Sequence, residues 1–156
     1  MAGLTSGVLD AQGIPGFDAT LEARLLTSLR AENEQASNCV IRLAITAADG
    51  TLLAGLSGRT SYGWLHLDMV WVAPQHQRRG HARALVHDAC DRAFALGCHA
   101  AWLDTSSPTA LIVWQKLGFV EFGRLENTPT QRPAGHRRWF LQKTLTGPVN
   151  HLDACA

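Results

Sequence analysis

Val70-Trp71-Val72-Ala73-Pro74-Gln75-His76-Gln77-Arg78-Arg79-Gly80-His81-Ala82-Arg83-Ala84-Leu85 is the stretch from which the fold of this 156-residue chain can be read. Its first part is strand-like and ends at Pro74, which has no N–H to give to a sheet ladder. From Gly80 onward Ala82, Leu85, Val86, Ala89, Cys90, Ala93 and Leu96 recur at i, i+3, i+4 and i+7. That spacing predicts an amphipathic helix over 80–96, stopped by Gly97. Between strand and helix lies a turn of Gln and Arg. A helix start leaves four N–H groups unpaired and carries about half a positive charge, so it attracts anions. Arg78, Arg79 and Arg83 stand at that same end, where each opposes the macrodipole by about 0.3–1 kcal/mol unless an anion offsets it. Gly80 lets a phosphate approach the backbone, and Ala82 keeps the next turn small. Neither G-x-G-x-x-G nor G-x-x-x-x-G-K-[ST] occurs, so the turn is not a dinucleotide or nucleotide phosphate loop of those kinds.

Working outward, Trp64 to Val72 reads as one long strand, entered through a turn at Ser61-Tyr62-Gly63. Leu52 to Ser57 precedes it as an antiparallel partner, joined through a two-residue Asp49-Gly50 turn to a strand containing Val40, Leu43 and Ile45. Further back, Leu21, Leu25, Leu26 and Leu29 predict a helix over 19–35 with Asp18 as its N-cap. Residues 1–18 read as a loose arm or short edge strand. Downstream come a strand over 99–104, a helix from Pro108 to Leu117 capped by Ser107 and stopped by Gly118, then strands over 119–125 and 138–145. Residues 147–156 read as a tail, leaving 19–146 as the core of a single domain. Three hairpin-linked strands followed by β-α-β-α-β imply an α/β protein whose mixed, mostly antiparallel sheet is flanked by helices.

Hydrophobic residues make up 46% of the chain and charged residues 17%, with a net charge of +1, so broad electrostatic binding to nucleic acid or a membrane surface is not expected. Apolar runs fall far short of the ~18 residues of a membrane span. Residues 1–18 contain no Lys or Arg and no compact apolar block, which argues against a secretory leader. Cys39, Cys90, Cys98 and Cys155 form no C-x-x-C pair, and no histidine joins them at metal-ligand spacing, so reduced thiols, a cytoplasmic setting and no metal are expected.

Gln77-Arg78-Arg79-Gly80-His81-Ala82 resembles the Q/R-x-x-G-x-G/A signature of the GNAT superfamily of N-acetyltransferases. The likeness extends from about Ile41 to Leu145 through Gly63-Trp64-Leu65, Ala101-Trp102-Leu103-Asp104-Thr105, Lys116-Leu117-Gly118-Phe119 and Gly135 to Lys143. It implies the GNAT fold and direct transfer of an acetyl group from acetyl-CoA to a small-molecule or peptide amine, with no covalent enzyme intermediate. It also implies that Gln77, Arg78, Arg79, Gly80, His81, Ala82 and Arg83 hold the pyrophosphate. Val70 and Val72 match the strand positions whose backbone pairs with the acetyl-pantetheine arm. Ser107 falls where many members carry an Asn that contacts the coenzyme. A homodimer is common among such domains.

Amine acetylation needs a neutral nucleophile and then a proton for the leaving thiolate. His66 and Asp68 alternate with Leu65, Leu67 and Met69, which places both polar side chains on one strand face. The family uses both positions for a general base, so His66 is read as the proton relay and Asp68 as the anchor of the ammonium. Each could instead be a hydrogen-bonded structural residue. The departure from the family lies at Trp114, which occupies the place of the usual acid Tyr. An indole N–H is no acid at neutral pH, which leaves water or Ser107 to protonate the thiolate. The alternative reading is therefore a non-catalytic acyl-CoA-binding or sensor domain of the same fold.

Overall fold

In the computed structural model, residues 7–34 and 36–147 are described. The chain divides into two units, Met1–Gln35 and Ala36–Ala156.

The first unit holds α1, Phe17–Glu32. It begins at Gly16, whose positive φ of 69° turns the chain into the helix two residues earlier than the Asp18 cap reading placed it. Asp18 instead sits inside the first turn, where its charge favours the dipole without capping it. The helix stops at Glu32, and the N–H of extended Asn33 donates to Leu29 O at 2.9 Å. No α1 residue is buried. Residues 7–16 contain no strand. Residues 1–6 of the expected arm and 148–156 of the expected tail lie outside the described residues.

The second unit follows the order expected from the sequence: β1 Val40–Thr46, β2 Leu52–Ser61, β3 Trp64–Val72, a short 3-10 turn over Pro74–His76, α2 His81–Ala95, β4 Ala100–Thr105, α3 Pro108–Lys116, β5 Val120–Glu126 and β6 Arg137–Thr144. The six strands are ordered β1-β2-β3-β4-β6-β5. Every neighbouring pair is antiparallel except β3 and β4. One core joins Leu56, Leu65, Leu67, Leu103 and Leu141 of the strands to Leu85, Val86, Ala89 and Ala93 of α2, with Leu111 and Trp114 of α3 packed against it. The β1–β2 connection is wider than the two-residue turn expected. Ala47 N–H donates to Thr51 O, Asp49 Oδ1 accepts from Thr51 N–H, and Gly50 supplies the positive φ. The β2–β3 turn is tight, and a Cβ on Gly63 (φ 78°) would lie 2.8 Å from His99 Nδ1.

The alternation along β3 breaks once. Ser57 pairs with Met69 and Gly58 with Leu67, so Asp68 is an extra, bulged residue. Leu65 and Leu67 point into the core before the bulge, and Val70 and Val72 do so after it. Met69, read from the sequence as sharing the face of Leu65 and Leu67, is instead 66% exposed. A bulge bends its strand and increases its twist. In keeping with that, β3 and β4 stay paired only at Trp64–Ala100, Leu65–Ala101 and His66–Trp102. From Leu67 and Leu103 onward the two strands no longer pair, so the sheet opens into a V toward the C-terminal end of β3, from which the chain turns into α2.

Candidate active site

Two features flank this opening, one beyond the end of β3 and one at its last rung with β4. The first is the turn from β3 into α2. Arg78 and Gly80 both adopt positive φ, 60° and 85°, and Gly80 caps α2 without any side-chain hydrogen bond. The N–H of Ala84, donating to Gly80 O at 2.9 Å, makes the first bond of the helix. Among the described residues, none of the six N–H groups from Arg78 to Arg83 has an acceptor. Arg78, Arg79, Gly80 and Arg83 are exposed, while His81 and Ala82 are half-buried. Gln77 is drawn back toward the strand, its Nε2 donating to Val72 O at 3.3 Å. Among the described residues, a Cβ on Gly80 would meet no atom within 4 Å beyond its chain neighbours, so the glycine serves backbone conformation and leaves open space before the amides.

The second feature is a polar cluster on the sheet face opposite the core. His66 Nδ1 lies 2.9 Å from Asp68 Oδ1, so the two residues singled out from the sequence are in direct contact. Arg59 Nη2 reaches the same carboxylate oxygen at 3.1 Å. Trp102, paired with His66 across the last rung before the strands part, stacks on the imidazole with centroids 3.9 Å apart and planes at 9°. His66 and Asp68 keep only 22% and 24% of their side chains exposed. Burial pulls the imidazole below its ordinary titration range; Asp68 pulls it back up, Arg59 pushes it down and Asp104 raises it slightly. With the ring neutral, Nδ1–H donates to Asp68, which leaves the Nε2 lone pair free to accept a proton. Beyond Trp102 the face continues with Asp104, whose Oδ2 sits 3.4 Å from Arg138 Nε.

Sequence reading did not single out Arg59 or Trp102 as part of this cluster. Counting outward from the Ser61-Tyr62-Gly63 turn places Arg59 directly opposite His66, which is the observed register. Trp102 carried no comparable signal, because its place beside His66 depends on a parallel pairing between distant segments. The remaining expected residues are distributed as follows. Ser107 caps α3, its Oγ accepting from Ala110 N–H at 3.2 Å. Trp114 packs edge-on against Phe119 at 5.4 Å. Ser106 Oγ and His136 Nε2 are 3.3 Å apart beside the end of β4. Among the described residues no group of three or more His, Cys, Asp or Glu is placed to hold a metal ion, and no helix is long and apolar enough to cross a membrane.

An opening beyond the last β3–β4 rung, an amide-lined helix start after β3 and a histidine–carboxylate pair at that rung suit an acyltransferase. Comparison makes the assignment specific: the chain belongs to the acetyltransferase (GNAT) family, whose sequence model matches residues 14–119. It is 30% identical over 120 residues to an acetyltransferase of Agrobacterium fabrum, covering 77% of this chain and 85% of that one. A solved structure from Agrobacterium tumefaciens, described as a candidate acetyltransferase, superposes with a TM-score of 0.74 at 26% identity, covering 93% of this chain and all of the other. A spermidine N(1)-acetyltransferase of Vibrio cholerae is 33% identical over 79 residues, spanning 47% of this chain and 46% of the relative.

Proposed function

We propose that this acetyltransferase moves an acetyl group from acetyl-CoA directly to a primary amine. The run of amides from Arg78 to Arg83, without an acceptor among the described residues and set among three arginines, carries the reading. A diphosphate matches that donor set in charge and geometry. Acetyl-CoA supplies the acetyl group already activated as a thioester. Gln77, through its bond to Val72 O, would tie the turn to the strand, and Gly80, His81 and Ala82 would present amides to the diphosphate. The β3 edge around Val70 and Val72, left without a β4 partner, would receive the pantetheine arm as a sheet edge receives an added strand. One N–H aimed at a reacting carbonyl is worth roughly 2.7–4 kcal/mol in acyl transfer. Ser107, whose oxygen caps α3, keeps its O–H to donate to the coenzyme.

His66 would take the amine proton at Nε2 while Asp68 holds the ring in that tautomer and attracts the incoming ammonium. Burial pushes the Cys90 and Cys98 thiols up, so neither offers a ready thiolate for a covalent route. The Vibrio relative supports a polyamine as the first acceptor to try. Trp114 favours a second reading, a non-catalytic acyl-CoA sensor, because no phenol stands there to protonate the leaving thiolate.

Thermal stabilisation by acetyl-CoA, followed by thiol release with spermidine and a panel of small amines and peptides, tests both. Enzyme turnover is expected, and His66→Gln should lower its rate by roughly 10²–10⁴-fold. Stabilisation without release for any amine would favour the sensor, and absence of stabilisation would overturn both readings.

A further inference from the structure

We infer that Arg59 is a positioning residue for acetyl transfer, its guanidinium fixing the Asp68 carboxylate so that this carboxylate in turn orients the His66 imidazole. The inference rests on His66 acting as the base. Its geometry is independent of any substrate. Arg59 and His66 are direct cross-strand partners in the β2–β3 hairpin, and Asp68 is the bulged residue two positions beyond His66. A single Asp68 oxygen, Oδ1, receives both His66 Nδ1 at 2.9 Å and Arg59 Nη2 at 3.1 Å.

Without a second anchor, a bulged carboxylate on the half-open end of a strand could rotate away from the ring. Arg59 supplies that anchor from the neighbouring strand, and Trp102 closes the opposite side by stacking on the imidazole. The arrangement restrains His66 from three strands at once: Arg59 from β2, Asp68 from β3 and Trp102 from β4.

Arg59 has an electrostatic consequence as well. The charged groups facing His66 are Asp68 on its own strand, Arg59 on β2 and Asp104 on β4, the last partly neutralised by Arg138 of β6. Among the described residues Arg59 is the only cation in direct contact with the His66–Asp68 pair, and it opposes a second positive charge on the ring. It also draws off part of the carboxylate's charge that would otherwise hold a proton on His66. Loss of Arg59 should therefore favour the imidazolium and reduce the fraction of base at acid pH.

The test uses the full-length protein with Arg59→Met, which keeps the aliphatic stem, Arg59→Gln as a second charge-free variant, and Arg59→Lys as the conservative one. Arg59 is 63% exposed, so its side chain can be shortened without opening the core. The His66 ring is titrated by NMR without ligand, and kcat/KM for acetyl transfer to spermidine is measured against pH. The His66 midpoint and the acid limb should both move to higher pH in the Met and Gln variants and return toward wild type in the Lys variant. Below both midpoints kcat/KM should fall roughly three- to tenfold, the size of effect a partly exposed neighbouring charge produces, with KM for acetyl-CoA unchanged. Coincident His66 midpoints in wild type and both charge-free variants would overturn the role of Arg59. Wild-type turnover in His66→Gln would instead overturn the base role of His66, while the ligand-free titration would still report the coupling.

Discussion

The helices α2 and α3 start in opposite ways. At α3 the first turn is closed by the chain itself: Ser107 Oγ takes the N–H of Ala110, and Pro108 brings no N–H at all. At α2 nothing closes it. Gly80 sits at the cap with positive φ and no side chain, three arginines crowd the turn, and six amides have no acceptor among the described residues. A helix start left open costs stability, since a capping side chain is typically worth about 1 kcal/mol and each arginine opposes the dipole. One start is therefore closed by its own chain and the other is left open, and the open one is where we propose that the diphosphate binds.

Exchanging the character of the two starts is the strongest way to break this contrast. Gly80→Asp would set a carboxylate in the open space before the α2 amides and repel a diphosphate. Asp tolerates positive φ better than most residues, so the turn should survive. Losing one or two charge-assisted bonds at about 1.5 kcal/mol each should weaken acetyl-CoA binding roughly ten- to a hundredfold in calorimetry. The side chain at φ 85° should lower the melting temperature modestly, and a cooperative transition would show that the turn survives. Binding retained at wild-type strength would mean that the amides are not the site.

Ser107→Ala gives the smaller, converse effect. It should cost about 1 kcal/mol of folding stability in denaturant titration while weakening acetyl-CoA binding much less than Gly80→Asp does. An unchanged midpoint would show that the α3 cap contributes nothing.

These two starts also mark what could be read in the sequence. The Ser107-Pro108 cap and the Arg-rich turn before Gly80 are local chemistry, and both stand where the residues placed them. The succession of helices and strands along the chain was legible from hairpin turns and helix spacing for the same reason. The bulge at Asp68 left a trace, a phase change from Leu65 and Leu67 to Val70 and Val72, which Met69 obscured by extending the apolar alternation by one residue. The V-shaped opening and the Trp102 stack depend on where β4 leaves β3, a non-local pairing that no short window encodes. The start of α1 moved because the positive φ of Gly16, rather than a side-chain cap at Asp18, turned the chain into the helix.

A subtler effect concerns pH and contrasts the buried imidazole with the exposed turn. Burial holds His66 in the folded protein below its ordinary value of 6.5, so the unfolded chain binds that proton more readily. The stability contributed by the neutral ring is present above about pH 6.5 and is lost as pH falls through the lower folded value. Wild type should therefore lose stability more steeply than His66→Gln on the acid side of 6.5, with the two slopes converging above it. Parallel slopes throughout would contradict the burial of His66.

The central claim, that the open start of α2 binds the coenzyme's diphosphate, is tested most directly by following backbone amide resonances during an acetyl-CoA titration. Large, saturable shifts are expected at Arg79 to Arg83, also produced by CoA alone, with the Ala110 amide at the capped α3 start moving far less. Saturable shifts confined to other residues, with the Arg79 to Arg83 amides unmoved, would contradict it.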